Sequence, residues 1–249
     1  IGFVVGSDAD VDGEDGDIDP ANVQMLDVGS PFDFANQGVL YMPKHLPEPG
    51  RDGPGKEVLT ELGELIDAAG GRTLALFSSW RGVEAADAHL RDVLKELPIT
   101  IITQKRGDAV GPLVERFAKD ETSILLGTMS LWQGVDVPGN SCILVAIDRI
   151  PFPRPDEPVM SARAAQADAK GGSGFMQVSL PRAALLLAQG TGRLIRSVDD
   201  RGVVAILDSR IVTKRYGSVL LNSMPPLWRT SDAAVVRDSL RRLAESVKE

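Results

Sequence analysis

The chain has 249 residues, 43% of them apolar and 25% charged, which suits one large soluble globular domain or two small ones. No apolar run approaches the ~18 residues needed to cross a bilayer, and the N-terminus lacks the basic-then-apolar layout of a signal peptide. Cys142 stands alone, which excludes a disulfide framework, a Cys-based zinc site and a four-Cys iron–sulfur site within this chain and points to a reduced, cytoplasmic setting.

The formal net charge of −8 argues at first against a nucleic-acid partner, because polyanion binders are usually basic. Much of it is local. Asp8, Asp10, Asp12, Glu14, Asp15, Asp17 and Asp19 carry −7 of the −8, so the rest of the chain stands at −1. Residues 7–22, acidic and poor in large apolar groups, read as a solvated loop. Asp8-x-Asp10-x-Asp12-Gly13 has the spacing of a calcium loop. Ile1–Ser7 is too short for the helix that should precede it, and Pro20 blocks the one that should follow, so a plain acidic linker is the better reading.

Pro43 to Gly55 is punctuated by four prolines. Within it Gly50-Arg-Asp-Gly-Pro-Gly55-Lys56-Glu57 nearly spells a phosphate-cradling loop. Glu57 stands where a magnesium-binding hydroxyl is required, and Pro47 and Pro49 occupy the place of the preceding strand. A loop opening a helix over Glu57–Ala69 fits better. Beyond it, short Ile-, Val- and Leu-rich runs at Leu74–Phe77, Ile99–Thr103, Ile124–Gly127, Ile143–Ile147 and Val203–Leu207 lack alternation, as expected of strands covered on both faces. Helical spacing joins Val83, Ala86, Leu90, Leu94 and Leu97, then Leu113, Val114, Phe117 and Ala118, and finally Val236, Leu240, Leu243 and Val247. Strands alternating with helices predict an α/β fold, a mostly parallel sheet between helical layers with right-handed crossovers. Ligands of such sheets sit beyond the carboxyl ends of the strands, which places Ser78-Ser79, Thr103-Gln104 and Thr128 on one functional edge.

Leu180–Ser197 reads as a long, largely buried helix, or as a helix ending in a tight turn. Gln189, Arg193 and Arg196 follow one another at i, i+4 and i+7, and share a face if the helix continues through Gly190 and Gly192. Arginine suits phosphate because its planar fork donates paired hydrogen bonds and never loses its charge. Pairing of both arginines with Asp199, Asp200 or Asp208 is the structural alternative.

Gln189-x-x-Gly192-Arg193-x-x-Arg196 resembles motif VI of superfamily 2 helicases. Thr128-Met-Ser-Leu-Trp132-Gln133-Gly134-Val135-Asp136-Val137-Pro138-Gly139 resembles motif V in its DinG/XPD form. Leu76-Phe77-Ser78-Ser79 is similar to motif IV, while Pro151-Phe152-Pro153-x-Pro155-x-Glu157-Pro158 and Ser30-Pro31-Phe32-Asp33 are DinG-like signatures. The resemblance runs from about Gly29 to Trp228 and favours the bacterial DinG branch. It implies a RecA-like three-layer sandwich over 29–249, the second of two motor domains. Residues 1–28 would be an acidic segment left from the junction, with Ile1 just after motif III.

By the same resemblance, Arg193 and Arg196 would be the γ-phosphate contact and the arginine finger, in an order the sequence leaves open. Gln189 would order phosphate or the attacking water. Gly134, Asp136 and Gly192 would belong to the ATP site, with Asp136 linking it to the DNA grip. Ser78, Ser79 and Thr128 would donate to DNA phosphates, with helix capping as the alternative for each. Trp132 and Trp80 could stack a base or pack in the core. ATP and Mg²⁺ would be bound mainly by a first RecA-like domain of the same polypeptide, which would also carry the Walker motifs and any iron–sulfur cluster. Single-stranded DNA would be the substrate track, traversed 5′→3′, with no membrane partner and no metal held by this chain. Two rivals are a non-catalytic single-stranded nucleic-acid-binding module and a small nucleotide enzyme using Lys56.

Overall fold

The computed structural model describes residues 2–5, 23–26, 30–50, 53–131 and 141–246. They fall into two units, Ile1–Asp33 and Phe34–Glu249. In the first, Gly2–Val5 (β1) pairs antiparallel with Val23–Leu26 (β2), Gly2 opposite Leu26. The acidic run Asp8–Asp19, with its calcium-like spacing, lies outside the described residues.

In the second unit a short helix, Phe34–Gln37 (α1), leads into Gly38–Tyr41 (β3). Lys56–Ala69 (α2), Thr73–Leu76 (β4), Trp80–Val93 (α3), Thr100–Thr103 (β5), Val110–Lys119 (α4) and Ser123–Gly127 (β6) follow in strict alternation. Leu144–Ile147 (β7) precedes Pro158–Ala169 (α5), a π-helical turn at Phe175–Ser179, and Leu180–Thr191 (α6). Gly202–Ile206 (β8), Arg210–Thr213 (α7), Gly217–Ser223 (α8), Trp228–Thr230 (β9) and Ala233–Ser246 (α9) complete it.

The seven strands form one sheet, ordered β5-β6-β4-β7-β8-β3-β9, and every pairing is parallel. All five expected apolar runs are among them. β3 and β9 escape sequence reading because prolines stand beside both, and β9 is only three residues long.

Alternate side chains of the central strands divide between two layers. Ala75, Leu126, Ala146 and Ala205 face a cluster with Leu62 and Ile66 of α2, Val83 and Leu90 of α3, and Val236 and Leu240 of α9. Leu125, Val145 and Val204, their neighbours, are fully buried on the other side, where α4 lies against β6 and α6 against β7. Each such burial contributes about 1.5–3 kcal/mol, so the sheet is held between its two helical layers. The chain moves from β3 outward to β5 through α2 and α3, then back to β9 through α4, α6 and α8. Right-handed crossovers therefore set the two helix groups on opposite faces. The α2–β4 turn is tight: Gly71 has φ +88°, and a Cβ there would lie 2.2 Å from the Thr122 carbonyl oxygen.

The near P-loop forms no phosphate cradle of strand, loop and helix. Gly55 stands at the N-cap of α2 in extended conformation, Lys56 opens the helix, and β3 ends at Tyr41, well before Gly50. Arg51 and Asp52 lie outside the described residues.

Candidate functional site

Parallel sheets bind ligands where the connections of neighbouring strands leave toward opposite faces. β4 and β7 are such neighbours, since β4 leads to α3 and β7 to α5 and α6. A groove of about 630 Å³ opens there, with Ser78, Ser79 and Trp80 on one wall and Ile150, Phe152 and Pro153 on the other. Five arginines line it, Arg81, Arg106, Arg149, Arg154 and Arg210, and among the described residues no carboxylate does. The Arg106 guanidinium lies 5.4 Å from the centre of the Trp80 ring, and that of Arg210 lies 5.8 Å from Phe152. Each ring holds a cation in place by its electron-rich face.

Beneath the groove, two buried aspartates tie the strand ends together. Asp148, just past β7, accepts the Ser78 N–H at 2.9 Å and the Ser78 hydroxyl at 3.3 Å, and pairs with Arg149 at 3.2 Å. Asp208, just past β8, accepts the Ile150 and Arg210 N–H groups at 2.9 and 3.0 Å and takes the Arg210 guanidinium at 2.7 Å. Each carboxylate thus fixes a neighbouring loop and an arginine of the groove at once. Ser79 is extended and accepts the Gly82 N–H at 3.1 Å, capping α3. Thr128 is buried: the Gln104 side-chain oxygen accepts its N–H at 2.9 Å and its hydroxyl at 3.3 Å, while the Gln104 amide donates to Ser130 at 2.6 Å. Ser78, Ser79, Gln104 and Thr128 do share the carboxyl edge, but their side chains already serve the fold.

Burial pushes the Asp148 carboxyl up to about 6, against the opposing pull of Arg149 and Ser78. The folded chain therefore holds this proton more tightly than the unfolded one, whose value is roughly 3.9. Its contribution to stability is full below about pH 4 and is lost as pH rises through about 6, an effect of up to about 3 kcal/mol. In urea titrations between pH 4 and 7, Asp148→Asn should remove that downward slope; a slope equal to that of the parent would show that Asp148 is not its source.

The second candidate cluster lies on the opposite edge. α6 ends at Thr191, so Gln189, Arg193 and Arg196 do not share a helical face, and the alternative of a helix closing in a tight turn is what the chain adopts. The Arg193 N–H donates to the Gly190 carbonyl and the Leu194 N–H to that of Thr191, tightening the last turn to three-residue spacing. Leu194 and Ile195 plunge into the core at 4% and 5% exposure, leaving Arg193 and Arg196 half-buried on either side. Asp200 accepts the Arg196 and Ser197 N–H groups, both at 2.8 Å. Gln37, ahead of β3, donates to the carbonyls of Ser197, Val198 and Asp200. Half-burial makes the Arg196 proton less tightly held, with the Asp200 charge opposing that. The side-chain oxygen of Gln189 is buried without a hydrogen-bond partner among the described residues. Asp208, one expected partner of these arginines, is committed instead to Arg210.

A family model described as the helicase C-terminal domain matches residues 62–227. The chain belongs to this family. Its DinG-like character follows from 58% identity over 222 residues to the ATP-dependent helicase DinG of Mycobacterium tuberculosis (strain H37Rv), covering 89% of this chain and 33% of that protein. The ATP-dependent DNA helicase YoaA of Escherichia coli K12 is 37% identical over 214 residues, covering 85% and 32%. The DinG-like chain therefore spans about a third of the length of these relatives. A solved XPD helicase overlays with a TM-score of 0.54 at 16% identity, over 78% of this chain and 36% of that one, and shares the RecA-like sandwich fold.

Of the residues singled out by motif, Trp132, Gly134 and Asp136 lie outside the described residues, and Gly192 is the exposed C-cap of α6. The five groove arginines carried no sequence signal, being scattered over the four segments that follow β4, β5, β7 and β8. Among the described residues no group of acidic, His or Cys side chains could hold a metal, and no helix is long and apolar enough to cross a membrane.

Proposed function

We propose that this DinG-like chain is the second motor domain of an ATP-dependent 5′→3′ DNA helicase and works through both edges of its sheet. At the carboxyl edge, the arginine-lined groove grips the phosphates of single-stranded DNA, with Ser78 and Ser79 on its wall and Trp80 offering a ring to a base. At the amino edge, the turn after α6 presents Arg193 and Arg196 to an ATP whose phosphates and Mg²⁺ are held mainly by a first motor domain of the same polypeptide. Gln189 orders phosphate or the attacking water there, and Gly192 and the motif V residues Gly134 and Asp136 complete the nucleotide contact. Thr128 acts through Gln104, which ties it to Ser130 at the start of motif V, rather than touching DNA, and Trp132 stays a stacking candidate by resemblance alone. An iron–sulfur cluster, if the whole enzyme has one, belongs to that first domain.

The observation that carries this reading is the separation of the two cationic features. Ser78 follows the carboxyl end of β4 and Arg196 precedes the amino end of β8, so the length of the sheet stands between them. A domain with one site would have no use for both. Coupling hydrolysis to movement on DNA requires them.

The purified chain should accordingly show negligible ATPase activity and weak, strongly salt-dependent binding of single-stranded DNA. Robust DNA-stimulated hydrolysis by this chain alone would sink the proposal. Tight binding that persists at high salt would favour the non-catalytic binding module instead.

A further inference from the structure

The sheet contains a second carboxyl-edge crevice, between β8 and β3. β3 leads to α2 on one face, while β8 leads to α7 and α8 on the other, so the connections diverge as they do between β4 and β7. The crevice encloses about 420 Å³ and is lined by Lys44, Lys214, Arg215 and Arg229, with the hydroxyls of Ser218 and Ser231 and, among the described residues, no carboxylate. Glu48 reaches Lys214 at 2.6 Å, and Arg229 donates to the Leu221 carbonyl at 2.8 Å. The side chains of Lys44 and Arg215 are exposed and have no hydrogen-bond or ion-pair partner among the described residues. α7 is the wall common to both crevices, for Arg210 lines the first and Ile211 and Val212 the second. In a chain of net charge −8, this edge gathers cations across most of its width.

We propose that the β8–β3 crevice holds backbone phosphates of the same DNA strand that occupies the β4–β7 groove. This rests on the DNA reading given above. β4 and β3 are three strand spacings apart, about 14 Å, so a single strand laid along the carboxyl edge meets both crevices in turn. Lysine and arginine without an aromatic ring beside them in the lining suit phosphates rather than bases, so the second crevice lengthens the footprint without reading sequence.

Fluorescence anisotropy of this chain with oligo-dT of about 4 and about 16 nucleotides, at several salt concentrations, tests the extension. A Lys44→Ala/Arg215→Ala double variant should bind the long strand more weakly, with a log K against log salt slope shallower by about 1.4, roughly 0.7 for each phosphate no longer neutralised. Its binding of the short strand should match that of the parent. An Arg81→Ala/Arg106→Ala variant should lose affinity for both lengths. An unchanged slope on the long strand, or equal losses on both lengths, overturns the second crevice while leaving the first intact. Should neither variant bind DNA differently from the parent, the DNA reading itself fails. If inorganic phosphate at constant ionic strength abolishes the difference between parent and double variant on the long strand, the crevice serves a small anion and the proposal is overturned.

Discussion

In a helicase carrying both motor domains, replacing the arginine finger with alanine lowers ATP turnover by about 10³–10⁵-fold, and Arg193 and Arg196 are the two positions at which that loss is expected. The effect is large because the guanidinium meets charge that develops only as the phosphoryl group transfers, in a site closed to water. Neither change should disturb the fold. Leu194 and Ile195 anchor the turn, Asp200 holds the backbone of Arg196 and Ser197, and Gln37 holds the carbonyls that follow. DNA affinity of the chain should also stay as it was, because the groove lies on the other edge. Steady-state hydrolysis, single-stranded DNA binding and circular dichroism read these three outcomes separately. Full ATPase activity in the double alanine variant would refute the assignment.

Asp208→Ala is expected to give the largest loss of stability, about 3–5 kcal/mol, the cost of removing one partner of a buried ion pair. Asp208 is fully buried and serves two backbone N–H groups besides the Arg210 guanidinium. Alanine would leave those donors unsatisfied and a half-buried charge without its counterion. At roughly 2–4 °C per kcal/mol for a domain of this size, the melting temperature should fall by about 10 °C. Asp208→Asn keeps an acceptor for the Ile150 N–H and should lose less. A loss below about 1 kcal/mol for alanine, measured by urea unfolding, would show that the two strand-end loops do not depend on this carboxylate. Because Asp208 sets both Ile150 and Arg210, the alanine variant should also weaken DNA binding in the proportion that still folds.

The local pattern of the chain determined the sheet and its helices. Runs such as Leu74–Phe77 and Val203–Leu207 can be satisfied only between two apolar layers, and the spacing of Val83, Ala86 and Leu90 presents one face to them. The family was equally legible from the order of short motifs between Ser78 and Arg196, because residues adjacent in sequence leave a local signature. Two things were decided only by the tertiary structure. The first is where α6 stops: Gly190, Thr191 and Gly192 weaken the helix, and burial of Leu194 and Ile195 favours the turn over another helical repeat. The second is the cationic edge. Arg81, Arg106, Arg149 and Arg210 are far apart in sequence and each is ordinary alone. They converge because parallel strands deliver every following loop to the same side, a consequence of topology that no spacing along the chain records. The stretch from Gln189 to Arg196 was legible as a motif; only the folded sheet set it on the edge opposite the arginine-lined groove.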